Sequence, residues 1–134
     1  MRTPLVKVLI LATAAGVLAA CDDAKSPTDV AKDTTAAEQN SAEAKERALR
    51  IAERREADVA GRSNADAREL AHETAVQEQK IADTEAEGEH RIALAHCEGL
   101  GGTPQKSCRA EADARYQIAR GKASLARAEA DPKP

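Results

Sequence analysis

Between Cys21 and Pro134 the chain holds no phenylalanine or tryptophan, a single tyrosine at Tyr116, and only about a dozen valine, leucine and isoleucine side chains. Alanine fills most of the remaining apolar positions. Burial stabilises by roughly 25 cal/mol per Å² of apolar surface and alanine brings little surface, so an ordinary globular core is out of reach. The chain must be thin, largely exposed and dependent on local structure. Alanine with Glu, Arg, Lys and Gln is a helix-forming composition, and β-branched residues are scarce through the interior. The expected fold class is all-α.

The first 20 residues follow a different logic. Arg2 and Lys7 supply positive charge, Val8 to Ala20 form a short apolar run, and Ala19 and Ala20 are small residues suited to a signal peptidase. The run is too short to span a bilayer comfortably, and no longer apolar run follows it. Leu18-Ala19-Ala20-Cys21 resembles the bacterial lipobox. The resemblance implies cleavage before Cys21 and a covalent lipid on its thiol, with two or more acyl chains giving stable anchoring. Cys21 is then a lipidation site, residues 1–20 a signal peptide, and the covalent lipid stands in place of any cofactor. The expected location is the cell membrane or outer membrane, facing the periplasm. Asp22 resembles a sorting signal for the inner membrane.

Removal of residues 1–20 takes away Arg2 and Lys7 and moves the formal charge from −3 to −5. A mildly acidic chain without a basic patch argues against a nucleic-acid partner.

Residues 21–35 lack periodicity and contain Pro27, which reads as a lipidated flexible tether. Thr35 with Glu38, and Asn40 with Glu43, are two candidate capping boxes for a helix beginning near residue 36. From there to Cys97 the apolar pairs Ala48-Leu49, Val59-Ala60, Leu70-Ala71, Ile81-Ala82 and Ile92-Ala93 recur every eleven residues. Eleven residues make almost three turns, so the pairs stay on one face and drift by only about 20° per repeat. Gly61-Arg62-Ser63-Asn64 offers a stop at Gly61 and a new cap at Ser63 or Asn64. The eleven-residue phase nevertheless passes through Gly61 unchanged, which favours one long helix over 36–97, weakened there. Its candidate interaction stripe is Leu49, Val59, Leu70, Ile81 and Ile92.

Acid-to-base pairs four residues apart, Glu43 with Arg47, Glu46 with Arg50, Asp58 with Arg62 and Glu87 with Arg91, fit a solvated helix face. At the end of the long helix, Gly99 in the left-handed conformation would bring Leu100 back onto Leu94 or Ala95. The turn covers 98–103, Thr103 offers a cap, and Pro104 suits a first helical position. A second helix over 104–130 carries Cys108, Ala112, Tyr116, Ala119, Ala123, Ala126 and Ala130 as a narrow heptad seam, compatible with a coiled coil. Residues 131–134 form a tail. The expected architecture is a helical hairpin with unequal arms, closed by a disulfide between Cys97 and Cys108, which flank the turn in a chain exported to an oxidising compartment.

Metal ligation is a poorer reading. His90 and His96 lie near the two cysteines, but their spacing matches no standard zinc finger, and six residues set them on different helix faces. His72 reads as a surface residue, and the absence of Cys-X-X-Cys disfavours redox chemistry. The sequence also lacks a phosphate loop, a nucleophile elbow and pocket-forming side chains, so no enzyme is expected.

The segment from Cys97 through Ala112 resembles small exported alanine-rich helical proteins of proteobacteria, some loosely labelled Tol-related, which implies an envelope location and no known reaction. In plan the tethered helix also resembles the Braun-type murein lipoprotein, but Pro134 follows Lys133 here, so the terminal lysine through which that family joins peptidoglycan has no match. The leading expectation is a structural or interaction protein that associates with itself or with an envelope protein. The alternative is a small periplasmic binding module, for metal or damaged polypeptide, acting at the hairpin end.

Overall fold

The computed structural model describes residues 24–62 and 66–131. It is all-helical, with three helices in series: α1 (Pro27–Gly61), α2 (Ala67–Cys97) and α3 (Gly102–Ala130). The expected signal peptide over 1–20, Cys21, the candidate caps Ser63 and Asn64, and residues 132–134 lie outside the described residues.

α1 begins well before residue 36, within the segment expected to be a tether. Ser26 is its N-cap: the Ser26 hydroxyl accepts from the Asp29 amide at 3.2 Å and donates to the Asp29 carboxylate at 2.6 Å. Pro27 occupies the first turn, where its missing N–H is no loss and its fixed φ suits the helix. Proline here starts a helix where a flexible tether over 21–35 was expected. Thr35 consequently sits inside α1, its hydroxyl donating to the Ala31 carbonyl.

The second departure is at Gly61. One helix over 36–97 is replaced by two, and α2 has its own cap, Asp66, whose carboxylate accepts from the Glu69 amide at 2.8 Å. The two helices run antiparallel in a register that brings Arg62 to Glu69, Lys45 to Glu85 and Ser41 to Gly88. Val59 thereby lies level with Leu70, and Ala48 with Ile81. The eleven-residue stripe is folded back on itself: its phase records which face is apolar, and a turn placed between repeats leaves that phase intact. A continuous rod would have left the stripe in water, whereas the fold buries Ala52 and Val59.

α3 returns along the other side of α2. Register on this side is set by Cys97 with Cys108, His90 with Asp113, Asp83 with Arg120 and His72 with Asp131. α2 turns Gly88 toward α1 and Ala86 and His90 toward α3. At 100° per residue, positions two apart lie on nearly opposite faces. α1 and α3 make no contact with each other. The molecule is therefore a flat three-helix meander with α2 in the middle, about 50 Å long by the length of α1.

Spacings of eleven run through both seams. The α2 residues buried toward α3 are Ala75, Ala86 and Cys97, and α3 buries Ala112 and Ala123. Such a repeat keeps helices nearly straight. It also corrects the heptad reading of α3: after Tyr116, Ala119 and Ala123 the seam passes to Arg127, which is half-buried and donates to Gln79 Oε1 at 3.1 Å, while Ala126 and Ala130 are exposed.

Small residues let the backbones approach closely. A Cβ placed on Gly88 would lie 1.9 Å from Ser41 Oγ and 2.8 Å from Ser41 Cβ. With so little apolar area available, this proximity and its dispersion contacts supply much of the seam.

Candidate functional site

Two regions stand out: the end of the meander where α1 starts and α2 turns into α3, and the outer edge of α3.

At the first, the α2 terminus tightens through amide bonds from Glu98 to Ala95, Gly99 to His96 and Leu100 to Cys97. Gly99 is not left-handed, contrary to the Schellman expectation; the positive φ belongs to Gly102, at 59°. A Cβ at Gly99 would sit 3.3 Å from a Val30 methyl, closer than ordinary van der Waals contact. Leu100, expected to fold back on the helix, is 41% exposed at the tip of the turn. The Thr103 cap is also absent, since α3 starts at Gly102 after Gly101 with no side-chain cap.

The start of the described chain is fastened to this turn. The Lys25 amide donates to the Glu98 carbonyl at 2.8 Å, and the Lys25 ammonium bridges the carboxylates of Asp33, at 2.8 Å, and Glu98. The hydrogen bonds that its ammonium donates to Asp33 and then Glu98 hold the Lys25 pKa well above the ordinary lysine value. Arg109 reaches the same Glu98 carboxylate at 3.9 Å. Lys25, Pro27, Val30, Thr34, His96 and Gly99 line an open groove of about 610 Å³. The buried Thr34 hydroxyl has no hydrogen-bond partner.

Cys97 is fully buried and paired with Cys108, with Cα atoms 5.6 Å apart. The cysteines thus stand across the α2–α3 seam. His96 is exposed on the groove side, and His90 points the other way, stacked on Tyr116 with ring centroids 4.7 Å apart and its Nε2 2.7 Å from Asp113 Oδ1. Arg120 Cζ lies over the Tyr116 ring, 5.7 Å from its centroid. These groups form an inter-helix clasp. His72, expected as a plain surface residue, meets Asp131 Oδ1 at 2.6 Å and ties the C-terminal end of α3 to the start of α2. Among the described residues no three His, Cys, Asp or Glu side chains gather as a metal site. No helix of the described residues is long and apolar enough to cross a membrane.

Of the stripe residues, Val59 is buried and Leu70, Ile81 and Ile92 are half-buried along the α1–α2 seam. Leu49 is exposed, and its neighbour Ala48 turns inward in its place. The most exposed large apolar side chains lie on α3. Ala114, Ile118, Gly121 and Leu125 recur at spacings of four, three and four on the side of α3 turned away from α2, with Ile118 59% and Leu125 66% exposed. That spacing is a helix-face signal in its own right, on the face opposite the alanine seam. Of the four charge pairs, Glu43 with Arg47 and Glu46 with Arg50 form at 3.4 Å, while Arg62 turns instead to Glu69 at 2.6 Å.

The chain matches no family model, no curated protein and no solved structure.

Proposed function

We propose that this is a lipid-anchored bacterial envelope protein, held through Cys21 and facing the periplasm, with a structural or protein-interaction role carried by the outer edge of α3. The lipobox-like sequence before Cys21 supports the anchor. The observation that carries the interaction role is the pair Ile118 and Leu125, exposed on the face of α3 opposite α2. In an oxidising periplasm the Cys97–Cys108 bond locks the α2–α3 hairpin that presents this edge. Two helices joined in this way resemble a coiled-coil pair, with an eleven-residue repeat in place of heptads.

A photo-crosslinking side chain at Ile118 in living cells tests the role. An adduct near twice the monomer mass identifies self-association, and an adduct of another mass identifies an envelope partner. A chain that yields neither, and is a stable monomer when purified, is not an interaction protein of this kind.

The groove between Lys25 and His96 favours a second reading, a small binding module for metal or damaged polypeptide at the hairpin end. Zinc or copper titration of the reduced protein and an aggregation-suppression assay test it; no effect in either removes it.

A further inference from the structure

The described chain begins against the α2–α3 turn. The Ala24 Cβ is 3.7 Å from where a Cβ on Gly101 would stand, and Lys25 is fastened to Glu98 through both its amide and its ammonium. Cys21 precedes Ala24 by three residues, and three fully extended residues span at most about 10–11 Å. A lipid on Cys21 therefore holds this end of the meander near the bilayer surface. The opposite end, at Gly61 and Asp66, lies on the order of 50 Å away along the helices, far beyond the reach of so short a link.

The chemistry of the near end suits that neighbour. Leu100 projects from the tip of the turn, 41% exposed, and Lys106 is exposed in the first turns of α3. Among the described residues nearby, Asp33 and Glu98 are paired with Lys25, and Glu98 also with Arg109. Negative charge that would repel anionic headgroups is thus partly neutralised where the chain meets them. An apolar side chain at a turn, followed by a cation in the next helix, can seat in an interface, the leucine toward the acyl boundary and the lysine among phosphates.

We propose that the α2–α3 turn, led by Leu100 and followed by Lys106 in the first turns of α3, is a membrane-contact surface on which the meander stands against an anionic phospholipid bilayer, its Gly61–Asp66 end pointing away. The inference rests on the lipid anchor proposed above.

The test uses the full chain produced in bacterial membranes and reconstituted in vesicles of phosphatidylethanolamine and phosphatidylglycerol. A photoreactive side chain is placed at Leu100, at Lys106, or at Ala60 near the far end. Mass spectrometry reads the phospholipid adduct at each position and, separately, the acylation of the Cys21 peptide. The expected result is an acylated Cys21 with about tenfold more phospholipid adduct at Leu100 and Lys106 than at Ala60, given a separation on the order of 50 Å. Acylated Cys21 with equal adduct at all three positions, or with none at Leu100 and Lys106, overturns the contact surface and leaves the anchor standing. A Cys21 peptide without lipid overturns the anchor and the orientation together.

Discussion

A methyl group added at Gly88 would lie 1.9 Å from Ser41 Oγ, whereas one added at Gly121 meets nothing within 4 Å. The two glycines sit inside helices of similar composition, so the substitution to alanine separates packing from propensity. Gly121→Ala should stabilise by about 0.5–1 kcal/mol through helix propensity alone. Gly88→Ala should destabilise by about 1–3 kcal/mol, because α1 and α2 must separate to admit the methyl group. Its effect should shrink in a Ser41→Gly background, and chemical denaturation of the four variants checks both signs. Lys25 makes a different prediction at the same scale. Its pKa is raised by Asp33 and Glu98, so its contribution is fully present below the ordinary lysine value of 10.5 and is lost as pH rises beyond it toward the folded-state value. Hydrogen exchange corrected for intrinsic rate should show the Lys25 amide losing protection above that pH before the α1–α2 seam does. Lys25→Gln should produce the same local loss at neutral pH. None of these groups was prominent in the sequence: a glycine in a helix and a lysine before a serine declare their roles only once the opposing residue is known.

At the scale of helices, legibility depended on whether the signal was local. A turn soon after Cys97 and the end of α3 at Ala130 were readable because glycine, proline and the change of periodicity coincide there, although α3 starts at Gly102, two residues before the expected 104. The start of α1 was equally local, since Ser26, Pro27 and Asp29 are an N-cap, a first-turn proline and a returning carboxylate, yet the same proline is also a loop residue. The break after Gly61 was not decidable from periodicity, because folding between two eleven-residue repeats leaves Val59 and Leu70 in phase. The α3 outer edge is legible from Ile118 and Leu125 at helical spacing, although alanines on the opposite face give a second, denser periodicity. Two outcomes follow for these elements. Val59, buried at the far end of the α1–α2 seam, should cost about 2 kcal/mol on truncation to alanine, from two lost methyl groups and the residual cavity, read from the urea midpoint. Reduction of the Cys97–Cys108 bond, eleven residues apart, should lower stability by about 3 kcal/mol in the chain-entropy model, seen as a fall in Tm with dithiothreitol.

For the whole molecule, the poverty of large apolar side chains leads to the meander. A three-helix bundle with a shared central core needs side chains large enough to meet along its axis, and this chain places alanine, glycine, serine and threonine in its seams. Pairwise contact along two opposite faces of α2 is what such residues can supply. The outer edge of α1 is then charged, with Glu43, Glu46, Arg50 and Arg54, and the outer edge of α3 carries Ile118 and Leu125. This asymmetry sets the direction in which the proposed interactions extend.

The fold is tested most directly by the distance between α1 and α3. Spin labels carried on noncanonical side chains at Glu43 and Gln117, exposed positions at the same level of the meander, leave the cysteines untouched. With α2 between them, two interaxial steps of 8–10 Å predict a Cα separation of about 20–25 Å by pulsed electron spin resonance. A separation of about 65 Å, the value for α1 and α2 joined as one continuous helix with α3 returning along it, would contradict the fold described here.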